Sequence, residues 1–235
     1  MDEAMQRQDS GMGDPLFDAQ AAAFARTADA QIAAGRYVRG KLFVDALKQR
    51  IRVGGRVLDY GCGPGRVARL IAEEGFSVTG LDPSPGMVTV AADQGRAGLL
   101  LEFGPLDSDT RLGTGAYEGI VCSSVIEYVE DPEALLRDFH AAIVPGGVLV
   151  VSYANRASLW GSYAKFRNPD AAHRAVQRHL WTFRGAKRVL SRAGFDVVAG
   201  PSYYDADGFD RRPGLRFLSA LPFVGTLAIV TALRR

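Results

Sequence analysis

The sequence predicts an α/β fold, built on a parallel β-sheet with helices on both faces. From Arg56 onward, short apolar runs that end in turn residues alternate with amphipathic stretches of about ten residues. Three glycines, Gly61, Gly63 and Gly65, follow the first apolar run and precede the first amphipathic stretch. A strand that turns directly into a helix is the building unit of such sheets. The chain of 235 residues is long enough for one such domain.

The composition is close to that of an average globular protein, so it excludes few classes of function. Hydrophobic residues make up 47% and charged residues 23%. The net charge of +2 is too small to indicate nucleic acid as a partner. Cys62 and Cys122 lie far apart in the chain and form no C-x-x-C pair, which argues against a disulfide framework and a thiolate zinc site. This cysteine usage predicts a cytoplasmic location.

The first 52 residues precede the regular pattern. Residues 1–14 have mixed charge and no apolar core, so we expect a flexible tail and no signal peptide. Residues 15–52 are rich in helix formers, and Gly35 divides them into two predicted helices that form an N-terminal cap. The main domain is expected over residues 53–235.

The elements of this domain can be predicted in order. Strands are expected at 56–60, 76–81, 99–103, 117–123 and 147–153, and helices between them at 65–74, 85–94 and 132–143. Asp131 before Pro132 is a favourable N-cap followed by proline at the first helical position. Pro145-Gly146-Gly147 is expected to end the third helix and lead into the fifth strand.

The regular alternation of apolar runs and amphipathic stretches ends after Tyr153. Residues 154–182 show no strand pattern and are predicted to form a helical lid, after which 183–192 is a predicted helix and 195–200 a strand. The apolar stretch 215–233 is about as long as a transmembrane helix, but Pro222 and Gly225 interrupt it. Its second half is rich in β-branched residues, so a buried strand is favoured. Because little chain remains for a crossover helix, this strand is expected to enter antiparallel.

The glycine turn predicts a binding site that favours an amino acid over a phosphate. Glycines allow positive φ angles and let a ligand approach the backbone, and the following helix N-terminus suits an anionic group. A dinucleotide-binding turn would have its third glycine where this chain has Arg66. Asp59, two positions before Gly61, would repel a pyrophosphate by about 4 kcal/mol per charge pair at about 4 Å and an effective dielectric constant of about 20, but it would attract an ammonium group.

Asp82 supports the same interpretation. It ends the second predicted strand, about 20 residues after the glycine turn, where a carboxylate can accept hydrogen bonds from the hydroxyls of a ribose. The predicted ligand is therefore a ribonucleoside that carries an amino acid and no phosphate.

These residues resemble the class I S-adenosylmethionine-dependent methyltransferases. VLDYGCGPGRVA looks like the glycine motif of that family, VTGLDPSPGMV like its acidic-strand motif, and the segment 117–156 like its fourth strand, helix and fifth strand. HLWTFRGAKRVLSRAGFDV is similar to the branch that contains the ubiquinone-biosynthesis O-methyltransferases. The resemblance covers approximately positions 50–200. It implies a Rossmann-like sheet of seven strands in the order 3-2-1-4-5-7-6, with strand 7 antiparallel.

The resemblance also implies the cofactor and its contacts. The expected cofactor is S-adenosyl-L-methionine, and the residues carried over for it are Asp59, Gly61, Cys62, Gly63, Gly65, Asp82, Pro83, Asp107, Ser123 and Glu127. Ubiquinone-type relatives have Ser-Glu-Val-x-Glu-His after the fourth strand, with residues proposed to hold a metal. This chain has Ser124-Val125-Ile126-Glu127-Tyr128 and lacks one carboxylate and the histidine, so no metal site is expected.

The lid is expected to hold the catalytic and substrate-specific residues. His173 and His179 fall in the segment that overlies the methyl group in this fold, and histidine can act as a general base near neutral pH. Arginine and lysine residues alternate with Trp160, Tyr163 and Phe166 in the same segment. They predict either a solvated helical cap, or a lid over an aromatic or acidic substrate, or a surface that contacts lipid headgroups.

The function predicted from the resemblance is methyl transfer to a small-molecule acceptor. Oxygen is the favoured acceptor atom, because of the similarity to the ubiquinone-type branch, with nitrogen and carbon as alternatives. A nicotinamide-dependent oxidoreductase shares the architecture and is the alternative from another class. A non-catalytic module that keeps the cofactor pocket is a third. The segment CSSVIEY has no Pro-Pro or Pro-Cys pair to hold a flipped base, which argues against a nucleic-acid methyltransferase.

Overall fold

The predicted seven-stranded sheet is confirmed. The computed structural model describes residues 15–93, 98–167, 176–204 and 216–235. The strands are Arg56–Tyr60 (β1), Ser77–Asp82 (β2), Leu101–Pro105 (β3), Tyr117–Cys122 (β4), Ile143–Ala154 (β5), Phe195–Tyr204 (β6) and Leu227–Arg234 (β7). Their order in the sheet is β3-β2-β1-β4-β5-β7-β6. β1 to β5 pair in parallel with one another, whereas β7 pairs antiparallel with both β5 and β6.

Helices cover the sheet and precede it, as expected. They are Pro15–Ala33 (α1), Val38–Lys48 (α2), Arg66–Glu73 (α3), Pro85–Ala92 (α4), Pro132–Ala142 (α5), Leu159–Arg167 (α6) and Phe183–Arg192 (α7), with a 3₁₀ helix at Arg216–Ala220. α1 and α2 are separated at Gly35, where φ is 61°. Asp131 caps α5 by accepting a hydrogen bond from the Ala134 N–H at 2.9 Å. Residues 1–14, expected to be a flexible tail, lie outside the described part of the chain.

Alternate residues of the central strands pack into two apolar layers, one on each face of the sheet. Leu58 belongs to a layer completed by α5 and α7, and its neighbour Val57 belongs to one completed by α2 and α3. Both side chains are fully buried. Because successive side chains of a strand point to opposite faces, a sheet covered on both faces needs apolar residues at consecutive positions.

One boundary prediction is wrong. α5 ends at Ala142, and the next residue, Ile143, is already extended at φ −79° and ψ 142°. Pro145-Gly146-Gly147 therefore lies inside β5 and does not end the helix. The pairing of β5 with β4 shifts register between Tyr117 and Gly119, and Gly146 has φ 74°. The glycines accommodate a bulge near the start of the strand.

The apolar stretch 215–233 is not a membrane-spanning helix in its described part. It contains the 3₁₀ helix and most of β7, so the strand prediction is confirmed. Within the described residues, no helix is both long and apolar enough to cross a membrane.

Candidate active site

A cavity of about 520 Å³ lies at the carboxyl ends of β1, β2, β4 and β5. The glycine turn and the segment after β4 form its floor, and side chains of α1 and α6 line its outer part. The carboxyl edge of a parallel sheet is the usual ligand site in this class of fold, because loops that diverge there leave a crevice.

Two of the three turn glycines have no room for a side chain. A Cβ on Gly61, where φ is 69°, would lie 2.3 Å from Val125 Cγ2. A Cβ on Gly65, the N-cap of α3 with φ 76°, would lie 2.6 Å from Phe103 Cζ. Gly63 differs, because its nearest neighbour is the Met87 sulfur at 4.0 Å. Gly63 therefore leaves open space on the cavity wall, where a ligand can contact the backbone.

Asp59 is a buried carboxylate near the end of β1 that lines the cavity. Its exposed fraction is 1%, and neither carboxylate oxygen has a hydrogen-bond partner of good geometry among the described residues. Burial and the nearby Asp82 charge raise the pKa of Asp59 to about 7, although the Ala68 amide and Arg39 oppose the shift. A buried carboxylate without a partner is costly, so this position is suited to a cationic ligand group.

Asp82 is held by the backbone of both neighbouring turns. Its Oδ2 accepts a hydrogen bond from the Gly63 N–H at 2.7 Å, and its Oδ1 accepts one from the Ser84 N–H at 3.0 Å. Burial raises the pKa of Asp82, and these two bonds oppose the rise. Each oxygen keeps a second lone pair, so the carboxylate can still accept from hydroxyl groups of a ligand in the cavity.

Glu127 and Arg39 lie on the other side of the cavity floor. Glu127 is 2% exposed, its Oε2 has no partner among the described residues, and burial raises its pKa to about 7. Arg39, from α2, donates from Nη1 to the Ser124 hydroxyl at 3.2 Å. Ser124 has a positive φ of 55°, and its N–H donates to Ser152 Oγ at 2.7 Å. The positive charge of Arg39 acts on the carboxylates of Asp59 and Glu127. The cavity floor can therefore bind both the negative and the positive group of a zwitterion.

α1 closes the outer side of the cavity and is fastened near its start by Asp18. The Asp18 Oδ1 accepts hydrogen bonds from Ser84 Oγ at 2.9 Å and from the Gly86 N–H at 2.6 Å. Both donors belong to the start of α4 and the residue before it. This contact holds the first turn of α1 against the loop that follows β2.

A second contact fastens the later part of α1. Asp29 forms a bidentate ion pair with Arg66, which also donates to the Pro64 carbonyl at 2.8 Å. Arg66 is the first residue of α3. α1 lines the cavity with Phe17, Phe24, Thr27, Ala28 and Gln31, which lie next to or between the two contacts.

α6 forms the opposite rim. Trp160, Gly161, Ala164 and Lys165 line the cavity from this helix, and Arg156 lines it from the preceding turn. Asn155 fixes that turn, because its Nδ2 donates to the carbonyls of Pro222 and Gly225, each at 2.8 Å.

The structure brings together most of the residues that the sequence predicted for cofactor binding. Those that line the cavity are Asp59, Gly61, Cys62, Gly63, Asp82, Pro83, Ser123 and Glu127. Gly65 is not among the lining residues and is the N-cap of α3. Asp107 is in an exposed turn, where it accepts hydrogen bonds from Thr110 Oγ1 and the Asp109 N–H. It is not among the residues that line the described cavity.

His179, one of the two predicted catalytic histidines, is not among the described residues that line the cavity. His179 Nε2 is 3.0 Å from the Val129 carbonyl oxygen, and the His179 backbone N–H donates to the Glu127 carbonyl at 3.0 Å. His173 lies outside the described residues. No group of metal-ligating side chains occurs in the part of the chain that the structure describes.

Sequence reasoning missed Arg39 and the contribution of α1. A single arginine in a predicted surface helix carries no sequence signal for a site. The sequence predicted the helix α1, but it cannot show that the apolar residues of this helix face a cavity formed by a later part of the chain.

Comparison with known proteins identifies the family. A family model for the methyltransferase domain matches residues 32–199, well over half of the chain. The protein therefore belongs to the methyltransferase domain family, and the family predicted from the sequence is confirmed.

Individual relatives agree with this assignment. The chain is 34% identical over 106 residues to a ubiquinone biosynthesis O-methyltransferase of Caulobacter sp. (strain K31), and this match covers 44% of the chain and 42% of the relative. The chain thus spans less than half the length of the curated relatives of this kind that it matches first.

Solved structures share the fold. An S-adenosylmethionine-dependent methyltransferase from Mesorhizobium loti has a TM-score of 0.64 at 25% identity, over 81% of this chain and 96% of that one. Magnesium protoporphyrin IX methyltransferase from Synechocystis PCC 6803, with bound S-adenosylhomocysteine, has a TM-score of 0.62 at 20% identity, over 84% and 82% of the two chains.

The residues of the cavity fit S-adenosylmethionine, the cofactor of this family. The unpartnered carboxylate of Asp59 and the Arg39 guanidinium suit the ammonium and carboxylate groups of its amino-acid part. The free lone pairs of Asp82 suit a ribose, and the open backbone at Gly63 allows close approach. The cofactor predicted from the sequence is confirmed at the level of the family.

Proposed function

We propose that this protein transfers the methyl group of S-adenosylmethionine to a small-molecule acceptor, with oxygen as the acceptor atom. One observation carries the proposal. Asp59 and Glu127 are buried in a cavity that is also lined by Arg39, and among the described residues both Asp59 oxygens and Glu127 Oε2 lack a hydrogen-bond partner of good geometry. When bound, the cofactor supplies a methyl group on a positively charged sulfur. The carboxylates in the cavity wall suit the ammonium group of a zwitterion, and the Arg39 guanidinium suits its carboxylate group. The cavity also has space next to α6 for an acceptor.

Three residues of the floor have defined roles in this proposal. Asp59 accepts a hydrogen bond from the ammonium group, and Arg39 donates to the carboxylate group. Asp82 accepts from the ribose hydroxyls. α1, fastened through Asp18 and Asp29, excludes water from the outer side. Methyl transfer then depends mainly on holding the acceptor in line with the methyl group, as positioning alone can supply several kcal/mol.

Oxygen is proposed as the acceptor atom from the partial similarity to the ubiquinone-type enzymes. A hydroxyl acceptor must lose its proton, and His173 and His179 stay the sequence-based candidates for the base. Variants H173A and H179A, assayed from pH 6 to 9, test them. Loss of the acidic limb of the pH–rate profile in one variant identifies the base, and unchanged profiles in both exclude these histidines.

An aromatic or acidic acceptor is proposed from the lining next to α6. Trp160 contributes an aromatic ring to the cavity wall, and Lys165 and Arg156 contribute positive charge at its mouth. Among the described residues, no acidic side chain forms an ion pair with either cation. The two cationic groups are therefore suited to bind a negatively charged ligand.

Two experiments test the function. Mass spectrometry of the purified protein is expected to find co-bound S-adenosylhomocysteine, and calorimetry is expected to show binding of that compound and none of NAD(H). Binding of NAD(H) alone would favour the oxidoreductase. Transfer of labelled methyl from S-adenosylmethionine to phenols, amines and activated carbons then decides the acceptor atom, and binding without transfer to any of them would favour the non-catalytic module.

A further inference from the structure

An exposed apolar surface lies beside the mouth of the cavity and is not used by the proposed reaction. On α6, Leu159, Tyr163 and Phe166 are exposed by 70%, 52% and 82%. Their spacing of i, i+4 and i+7 places them on one face of the helix. The other side of α6, with Trp160 and Lys165, lines the cavity. This short helix has no buried residue, so its apolar face is directed to solvent.

A second segment extends this face. In the segment before β7, Phe217, Leu221 and Phe223 are exposed by 67%, 46% and 62%. The Leu159 N–H donates to the Phe223 carbonyl at 2.8 Å, which ties this segment to the start of α6. Such a concentration of exposed large apolar groups marks an interaction site. We call the six side chains the apolar rim: Leu159, Tyr163, Phe166, Phe217, Leu221 and Phe223.

The charge around the apolar rim indicates what binds there. Arg156, Lys165 and Arg167 are exposed on or beside α6. Within the described residues of the two segments that carry the rim, 154–167 and 216–235, there is no aspartate or glutamate. Aromatic side chains mixed with cations, without acidic neighbours in the same segments, are complementary to a bilayer with anionic headgroups.

We propose that the apolar rim docks this protein peripherally on an anionic lipid bilayer. Leu159, Phe166 and Phe223 enter the headgroup region, while Arg167 at the end of α6 binds anionic headgroups. The mouth of the cavity then faces the bilayer, which suits an acceptor with a lipid tail. This last consequence rests on the proposed function, whereas the docking itself does not.

Vesicle co-sedimentation tests the docking. Wild-type protein is expected to bind vesicles of phosphatidylcholine mixed with phosphatidylglycerol and to bind pure phosphatidylcholine several-fold less. The variant F166S/F217S is expected to lower the partition coefficient at least about tenfold, because two exposed aromatic groups are lost. R167Q is expected to lower the partition coefficient about fivefold, because one cation near an anionic surface strengthens binding by about that factor.

The matched control is L100S. Leu100 is 66% exposed but lies just before β3, at the amino end of the sheet and away from the cavity. This variant is expected to bind vesicles like the wild type. Circular dichroism and S-adenosylhomocysteine binding, measured on all variants, show that the fold and the cofactor site are intact. These two readouts separate a failure of the docking proposal from a failure of the proposed function.

The proposal is overturned if wild-type protein does not bind anionic vesicles, or if F166S/F217S binds them as well as L100S does. It is also overturned if light scattering shows a dimer that F166S/F217S dissociates while vesicle binding is absent, since the rim would then join two copies of the chain. The proposal is likewise overturned if the apolar rim binds a protein partner and the wild-type protein does not bind vesicles.

Discussion

Arg66 and Asp29 form a bidentate ion pair, Nε to Oδ1 and Nη2 to Oδ2, each at 2.5 Å. Arg66 is in the first turn of α3, next to the glycine turn, and Asp29 is in α1. The Arg66 side chain is 7% exposed and that of Asp29 is 54% exposed. The pair therefore fastens the helix that covers the cavity to the turn that forms its floor.

Loss of this ion pair is expected to weaken cofactor binding. In D29N, Arg66 loses its charged partner but keeps its bond to the Pro64 carbonyl, and α1 opens more readily from the cavity. We expect a stability loss of about 1 to 2 kcal/mol and S-adenosylhomocysteine dissociation several-fold faster in stopped-flow measurements. D45N is the control, since Asp45 pairs with Lys41 at an exposed site on α2 at 3.4 Å. Equal dissociation rates in D29N and D45N would contradict a role for the pair in closure.

Cofactor binding is expected to depend on pH through Asp59 and Glu127. Both pKa values are raised to about 7 by burial, so at pH 6 each group is mostly protonated in the free protein. The ligand ammonium group binds the ionised form of Asp59, and this one ionisation alone lowers the affinity for S-adenosylhomocysteine about tenfold from pH 8 to pH 6. Calorimetry in two buffers should show proton release at pH 7. An affinity that is flat over this range, or that rises as the pH falls, would refute the expectation.

Asp59 should also make the free protein less stable at high pH. Its folded pKa of about 7 is above the ordinary value of 3.8. For an acid with a raised pKa, the stability contribution is fully present below the unfolded pKa and is lost as the pH rises through the folded pKa. D59N removes the charge, so it should be more stable than the wild type at pH 8 by about 2 to 4 kcal/mol and close to it at pH 4. Urea unfolding at both pH values measures this, and a D59N variant less stable at pH 8 would contradict it.

Gly61 is expected to tolerate no side chain. In G61A the new methyl group meets Val125 Cγ2, and the residue must also keep a φ of 69°. We expect about 3 kcal/mol or more of destabilisation and loss of measurable S-adenosylhomocysteine binding. G54A is the matched control, because Gly54 has φ 87° with nothing within 4 Å of the added Cβ, so only the backbone cost of about 1 kcal/mol remains. Thermal unfolding that gives the same loss for both variants would show that the contact with Val125 is unimportant.

Local patterns in the sequence were sufficient for the fold. The alternation of apolar runs and amphipathic stretches predicted the strands of the sheet to within a few residues, because both faces of the sheet are buried. The start of β5 and the end of β6, which runs on to Tyr204 past the predicted end at 200, were the exceptions. Pro145-Gly146-Gly147 is a strong helix-ending signal, but the pairing with β4 favours a bulged strand there.

The sequence by itself also determined the chemistry of the cavity floor. Gly61, Asp59 and Asp82 lie at or just after the ends of strands whose carboxyl ends meet, so their spacing along the chain was enough to predict that they converge. The tertiary structure alone decided the rest of the site. Arg39, the closure of the cavity by α1 and the outward face of α6 depend on how separate helices pack on the sheet. Contacts between elements distant in the chain leave no periodicity or spacing that one sequence can reveal.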